Sequence, residues 1–191
     1  MGLTEAELSL NDAQFNESIC LEQMTKRKYL SGIGMYHIHK AEVFLYYEEY
    51  EKAFHEVKAA DSFVKSMVSL VYLTRLCSVA FFSCSGCLCT DSKAPAGQLK
   101  KRMKNELSRM KKWAAYNPQN FLHHQLLMEA ELAKVEGDHI HASTLYEKAI
   151  ATANRNQWPA DEAFANEVAA RYYSARGQEK AASGYWREAY Y

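Results

Sequence analysis

The sequence predicts an all-α fold in which helices pair into antiparallel hairpins and the hairpins queue side by side. Three observations predict it. Apolar residues recur at three- and four-residue steps along most of the chain, and no useful stretch alternates with the period of two that a strand needs. Chain breakers are few, with 8 glycines and 3 prolines in 191 residues. Alanines also repeat at fixed distances from two of those glycines.

The elements follow from local signals. Asn11 or Asp12 is placed to cap a first helix carrying Phe15, Ile19 and Met24. A second helix runs from about Tyr29 to Tyr47, with Ile33, Tyr36, His37, Lys40, Ala41 and Phe44 on helical spacing. Glu48 and Glu49 interrupt it, and Tyr50 to Ala60 continues as a helix. The apolar run from Val64 to Cys89 predicts the longest helix, and TDSKAPAG, Thr90 to Gly97, the clearest loop. Leu99, Met103, Leu107, Met110 and Ala114 form a stripe on the next helix, which ends at Asn117-Pro118 because proline disfavours helical geometry in the residue before it. Helices over Phe121–Val135 and Ala142–Ala153 flank Gly137. Trp158-Pro159-Ala160-Asp161 opens another, with Asp161 as its cap, and Gly177 divides that helix from the last, Gln178 to Tyr191.

The two glycines align as elbows. Alanine stands seven residues before each (Ala130, Ala170), five after (Ala142, Ala182) and twelve after (Ala149, Ala189), with an aromatic nine after (Tyr146, Trp186). With Glu48 as elbow the same frame holds Ala41, Ala53 and Ala60, and Val57 replaces the aromatic. Small side chains let antiparallel helices approach to ~8–10 Å, and glycine adopts the left-handed conformation that ends a helix and reverses the chain. Such hairpins cannot cover their apolar faces alone, so they must stack.

From about Tyr29 to Tyr191 the chain resembles the tetratricopeptide (TPR) superfamily. The resemblance implies a TPR-like right-handed superhelix, an α-solenoid. It has degenerate units at about 29–62, 63–118, 119–157 and 158–191, and residues 1–28 form an N-terminal helix or cap. The usual period is about 34 residues; the 40 between Gly137 and Gly177 implies a longer connection, which NRNQWPADE would supply.

A narrower resemblance lies in Asn117-Pro118 through Phe121-Leu122-His123, Glu129-Ala130-Glu131, Gly137-Asp138, Ala149-Ile150, Asp161-Glu162-Ala163, Asn166-Glu167 and Ala169-Ala170-Arg171-Tyr172-Tyr173. These are similar to the helical-repeat region of large multidomain signalling proteins, in which a kinase-like domain and a predicted NTPase precede the repeats and GAF and histidine-kinase domains follow. In that family the last helix continues, so the resemblance implies that this chain is a segment of a longer one, its final helix truncated.

Composition narrows the function classes. The 23 basic and 23 acidic residues balance, which argues against nucleic acid or an anionic membrane as partner. Lys100, Lys101, Arg102, Lys104, Arg109, Lys111 and Lys112 have the spacing of a solvated helix face. The opening MGLTEAELSL lacks the pattern of a secretory signal, and after Gly2 the residues Glu5 and Ala6 fill the position where acylation wants a serine or threonine. Five irregularly spaced cysteines then point to reduced thiols in a cytoplasmic protein. Between Met67 and Cys89, Arg75 interrupts the apolar run, and Leu76–Cys89 is shorter than the ~20 residues a bilayer needs.

No catalytic, cofactor or metal site is expected. Gly-rich nucleotide loops and kinase signatures are absent. The CxxC of Cys84 and Cys87 has no second ligand pair. His37 and His39, two residues apart on a helix, point away from each other. His139 and His141 fall at a helix start, and His123 and His124 are adjacent. Arrays of this superfamily bind peptides in the groove of their first helices, which the alanine frame places at His124, Glu131, Lys134, Glu167 and Arg171. The lysine-asparagine clamp of chaperone-tail binders has no counterpart there. The reading is a non-catalytic scaffolding module that contacts a protein or peptide partner or neighbouring domains of the same chain. A stand-alone peptide-binding adaptor and a small-ligand sensor stand beside it, and an open apolar face on the last helix would favour homodimers.

Overall fold

A computed structural model describes residues 8–67, 69–90 and 92–190. Residues 1–7, on which the targeting and Gly2 readings fall, and Tyr191 lie outside the described residues. Among the described residues there are nine α-helices, one 3-10 turn and no strand, so the chain is all-α. It divides into two compact units, Met1–Met103 and Lys104–Tyr191.

The first unit contains α1 (Glu17–Lys26), α2 (Leu30–Tyr46), α3 (Tyr50–Asp61), the 3-10 turn Val64–Ser66, α4 (Leu70–Cys89) and the start of α5 (Ala96–Tyr116). α2 and α3 form a hairpin, and α4 packs on both. The second unit holds the rest of α5, then α6 (Pro118–Glu136), α7 (His139–Arg155), α8 (Pro159–Ala175) and α9 (Glu179–Tyr190). Here α6 pairs with α7 and α8 with α9, while α7 packs on α8.

Small side chains make these pairings. Ala41, Ala53, Ala60, Ala130, Ala142, Ala149, Ala170 and Ala182 are all buried, and Ala189, at the open end of the frame, is half-buried. Val57 and Tyr146 are also fully buried. The α5 stripe is buried throughout, at Leu99, Met103, Leu107, Met110 and Ala114, while Lys100, Lys101, Lys104, Lys111 and Lys112 on its other face are exposed.

Five connections share one geometry. Lys28, Glu48, Gly137, Gln157 and Gly177 have φ of 55°, 59°, 84°, 60° and 70°. The next helix begins two residues after each. At every one, the amide following the left-handed residue donates to the carbonyl five residues back: Tyr29 to Met24, Glu49 to Phe44, Asp138 to Ala133, Trp158 to Ala153 and Gln178 to Tyr173. The left-handed residue's own amide donates to the carbonyl three back. This is the paired hydrogen-bond closure of a Schellman motif, which satisfies carbonyls the helix end would leave open. Within each unit the left-handed residues fall twenty apart (28 and 48; 137, 157 and 177).

A residue with a side chain is strained at such a torsion, whereas glycine is not. Gln157 is exposed. Gln157→Gly therefore raises stability by about 0.5–1 kcal/mol, and Gly137→Ala lowers it by about 1 kcal/mol. A Cβ at Gly137 meets nothing within 4 Å, so the loss is purely torsional. Urea denaturation of the two variants checks both signs.

Several boundaries differ from expectation. α1 is capped by Asn16, which accepts from the Ile19 amide, not by Asn11 or Asp12. Asp12 instead accepts from the amides of Gln14 and Phe15, and Asn11 accepts from the Glu17 amide. The predicted Val64–Cys89 helix is interrupted, because the backbone turns at extended Met67 to bury that side chain against Gly34. α4 is then 20 residues and α5, at 21, is longer. Asp161 does not cap α8, whose N-cap is Trp158 with Pro159 in the first turn. The 40-residue period arises from 17- to 19-residue helices in α6, α7 and α8, not from a long connection. The left-handed Gln157 and Pro159 make the α7–α8 turn as short as the others.

Val71–Cys89 is long and apolar enough to cross a membrane. Its residues from Leu76 to Ser85 are mostly buried within the first unit, and Arg75 forms a two-pronged ion pair with Glu42 of α2 at 2.8 and 2.7 Å. These are the contacts of a core helix.

Candidate functional site

The five positions read as groove residues lie on α6 and α8. Lys134 meets Glu131 one turn before it on α6, at 2.5 Å. Arg171 meets Glu167 one turn before it on α8, also at 2.5 Å. His124, on the first half of α6, is half-buried. Glu131 is buried rather than displayed. One of its oxygens accepts from the Tyr146 hydroxyl of α7 and the other from Lys134, so this carboxylate ties the α6–α7 hairpin together. Tyr172 of α8 lies tilted against the Tyr146 ring, centroids 5.0 Å apart, and donates to the His139 carbonyl. Each of these two cations thus meets an acid on its own helix.

At the opposite end of α6 the adjacent His123 and His124 meet a third group from far along the sequence. Asp161, in the first turn of α8, places Oδ2 3.1 Å from His123 Nε2 and 3.7 Å from His124 Nε2. One ligand atom from each of the three lies within 4.8 Å of the others. The local fold positions them. Pro159 starts α8, and Asn156 Nδ2 and Trp158 Nε1 both donate to the Gln119 carbonyl. That binds the α7–α8 turn to the first turn of α6. Trp158 stacks on His123, ring centroids 6.1 Å apart, and His123 is buried.

Burial, and secondarily the neighbouring His123, depress His124 from 6.5 to about 4, while Asp161 acts in the opposite direction. The folded chain thus binds this proton less tightly than the unfolded chain. The stability is complete above about pH 6.5 and is lost as pH falls toward 4, by at most about 3 kcal/mol. Urea midpoints at pH 7 and pH 5 check this, and His124→Gln should flatten the dependence.

Comparison with protein-family models, curated proteins and solved structures finds no match. The reading therefore rests on the chain itself.

The first unit holds polar networks of a structural kind. Lys40 is buried among the Glu17 carboxylate and the Leu8 carbonyl. The Tyr36 hydroxyl donates to Glu17, and burial first, then the charges of Glu17 and Glu56, push it up to about 12. Cys77, Cys84 and Cys87 are buried and lie outside any disulfide, and burial pushes the Cys87 thiol up.

Sequence reasoning missed His123, Asp161, Trp158 and Tyr146 as partners. The elbow frame carried a signal for the first two. His123 lies fourteen residues before Gly137 and Asp161 sixteen before Gly177, nearly level on successive first helices.

Proposed function

We propose that this chain is a non-catalytic protein-interaction and scaffolding module, built as TPR-like hairpins in a right-handed superhelix. We further propose that it is a cytoplasmic regulatory segment of a larger signal-transduction protein. The observation that supports it most is the fivefold use of one helix-reversing geometry, spaced twenty residues apart within each unit, with alanines buried at the hairpin contacts. Stacked hairpins of that kind present an extended face rather than an enclosed reaction chamber. On α6 and α8 that face carries Lys134, whose acid partner Glu131 is buried beneath it, and Arg171 beside Glu167. A partner must then match both signs of charge, which suits a folded neighbour better than a uniformly acidic tail.

The test is in-cell crosslinking of the protein at native abundance, comparing wild type with a Lys134→Gln/Arg171→Gln double variant and a control, Lys148→Gln, at an exposed position of α7. Circular dichroism verifies that each is folded. One crosslinked partner or neighbouring domain is expected in wild type and control and is lost in the double variant. Retention in the double variant overturns the reading, as does nucleotide turnover by the purified chain.

A further inference from the structure

We propose that His123, His124 and Asp161 form a binding site for one divalent transition-metal ion of the zinc class, which staples α6 to α8. The donor set is two imidazoles and one carboxylate, the chemistry that suits zinc and its neighbours rather than calcium or magnesium. Two donors each ~2.1 Å from a tetrahedral ion lie roughly 3.4 Å apart. The separations of Asp161 Oδ2 from the two imidazole nitrogens, 3.1 and 3.7 Å, straddle that value. All three donor atoms fall within 4.8 Å of one another, a span that one ion can bridge.

Hydrogen bonding alone does not account for the arrangement. His123 is 3% exposed, and its Nδ1 is buried without a hydrogen bond. His124 Nε2, at 3.7 Å, is too far from Asp161 for a hydrogen bond but is turned to the same oxygen. A bound ion makes use of the Nε2 atoms of His123 and His124 and of the Asp161 carboxylate at once.

The site is also preformed. The two histidines are consecutive on α6, and the α7–α8 turn is fixed to α6 through the Gln119 carbonyl. Trp158 covers the His123 ring. Solvent, or a side chain from a partner, would complete four-coordination, the pattern of a three-ligand site.

The experiment uses the full chain, stripped with a chelator and returned to pH 7.5. Zinc is titrated calorimetrically and the complex weighed by native mass spectrometry. One ion per chain is expected, with a raised melting temperature and with His123 and His124 imidazole nitrogen signals shifted by NMR. His124→Gln and Asp161→Asn each weaken binding by about tenfold or more. Cobalt in place of zinc reports the ligand type, and bands of nitrogen and oxygen ligation without a thiolate-to-metal band are expected. The proposal is overturned if no ion binds at one equivalent, if both variants keep wild-type affinity, or if a thiolate band shows that a cysteine holds the metal. Should a variant unfold, the wild-type imidazole shifts decide on their own, since an ion held elsewhere leaves them unmoved.

Discussion

Tyr146→Ala is expected to lower the stability of the chain by about 4–5 kcal/mol, and Tyr146→Phe by about 2. The side chain is completely buried between α6, α7 and α8, so its removal combines lost apolar transfer with a cavity that rigid helices cannot collapse. The hydroxyl adds a separate effect. It donates to Glu131, a carboxylate buried on α6, and removing the donor leaves that acceptor less well satisfied in a dry environment. Chemical denaturation of the two variants separates ring from hydroxyl. If Phe and Ala cost the same, the ring contributes nothing; if Phe is neutral, the link to Glu131 contributes nothing.

Gly86→Ala is expected to destabilise the first unit by about 3 kcal/mol, although alanine is the better helix former by about 1 kcal/mol. A Cβ built at this position of α4 would lie 2.1 and 2.2 Å from Cδ1 and Cγ of Tyr50 in α3. Those atoms sit near the base of the ring and cannot swing away as a chain tip could. Tyr50→Ala in the same chain removes the obstacle and should restore most of the loss, a coupling that a double-mutant cycle measures. Equal effects of Gly86→Ala in the two backgrounds would mean that the ring is not the obstacle. The glycine inside the Cys84–Cys87 segment thus has a packing reason.

Helical periodicity was legible because α5 and the hairpin helices each bury a stripe, as Leu99, Met103, Leu107, Met110 and Ala114 do. Gly137 and Gly177 were legible as reversals because glycine takes a left-handed torsion without strain. Glu48 was found only through the alanines around it, and Lys28 and Gln157 give no local signal, since any residue can be forced into that torsion when the hydrogen bonds that close the turn hold it there. The break at Met67 was hidden for a different reason. No glycine or proline stands there, and the helix stops where Met67 is buried beside Gly34. The His123–His124–Asp161 cluster joins positions 38 residues apart, and Asp161 also carries a credible local role as a cap, which masked its long-range one.

The recurring left-handed joints bear on how such a chain can grow. Residues 138–177 begin just after one of them and end on another of the same torsion and hydrogen-bond closure. A tandem duplication of that stretch would meet the existing chain at a junction it already tolerates, and each new copy would offer Ala142, Ala149 and Ala170 to its neighbour. Lengthening by gene duplication therefore requires no newly invented turn, whereas an insertion that is not a multiple of twenty residues would break the spacing of the joints.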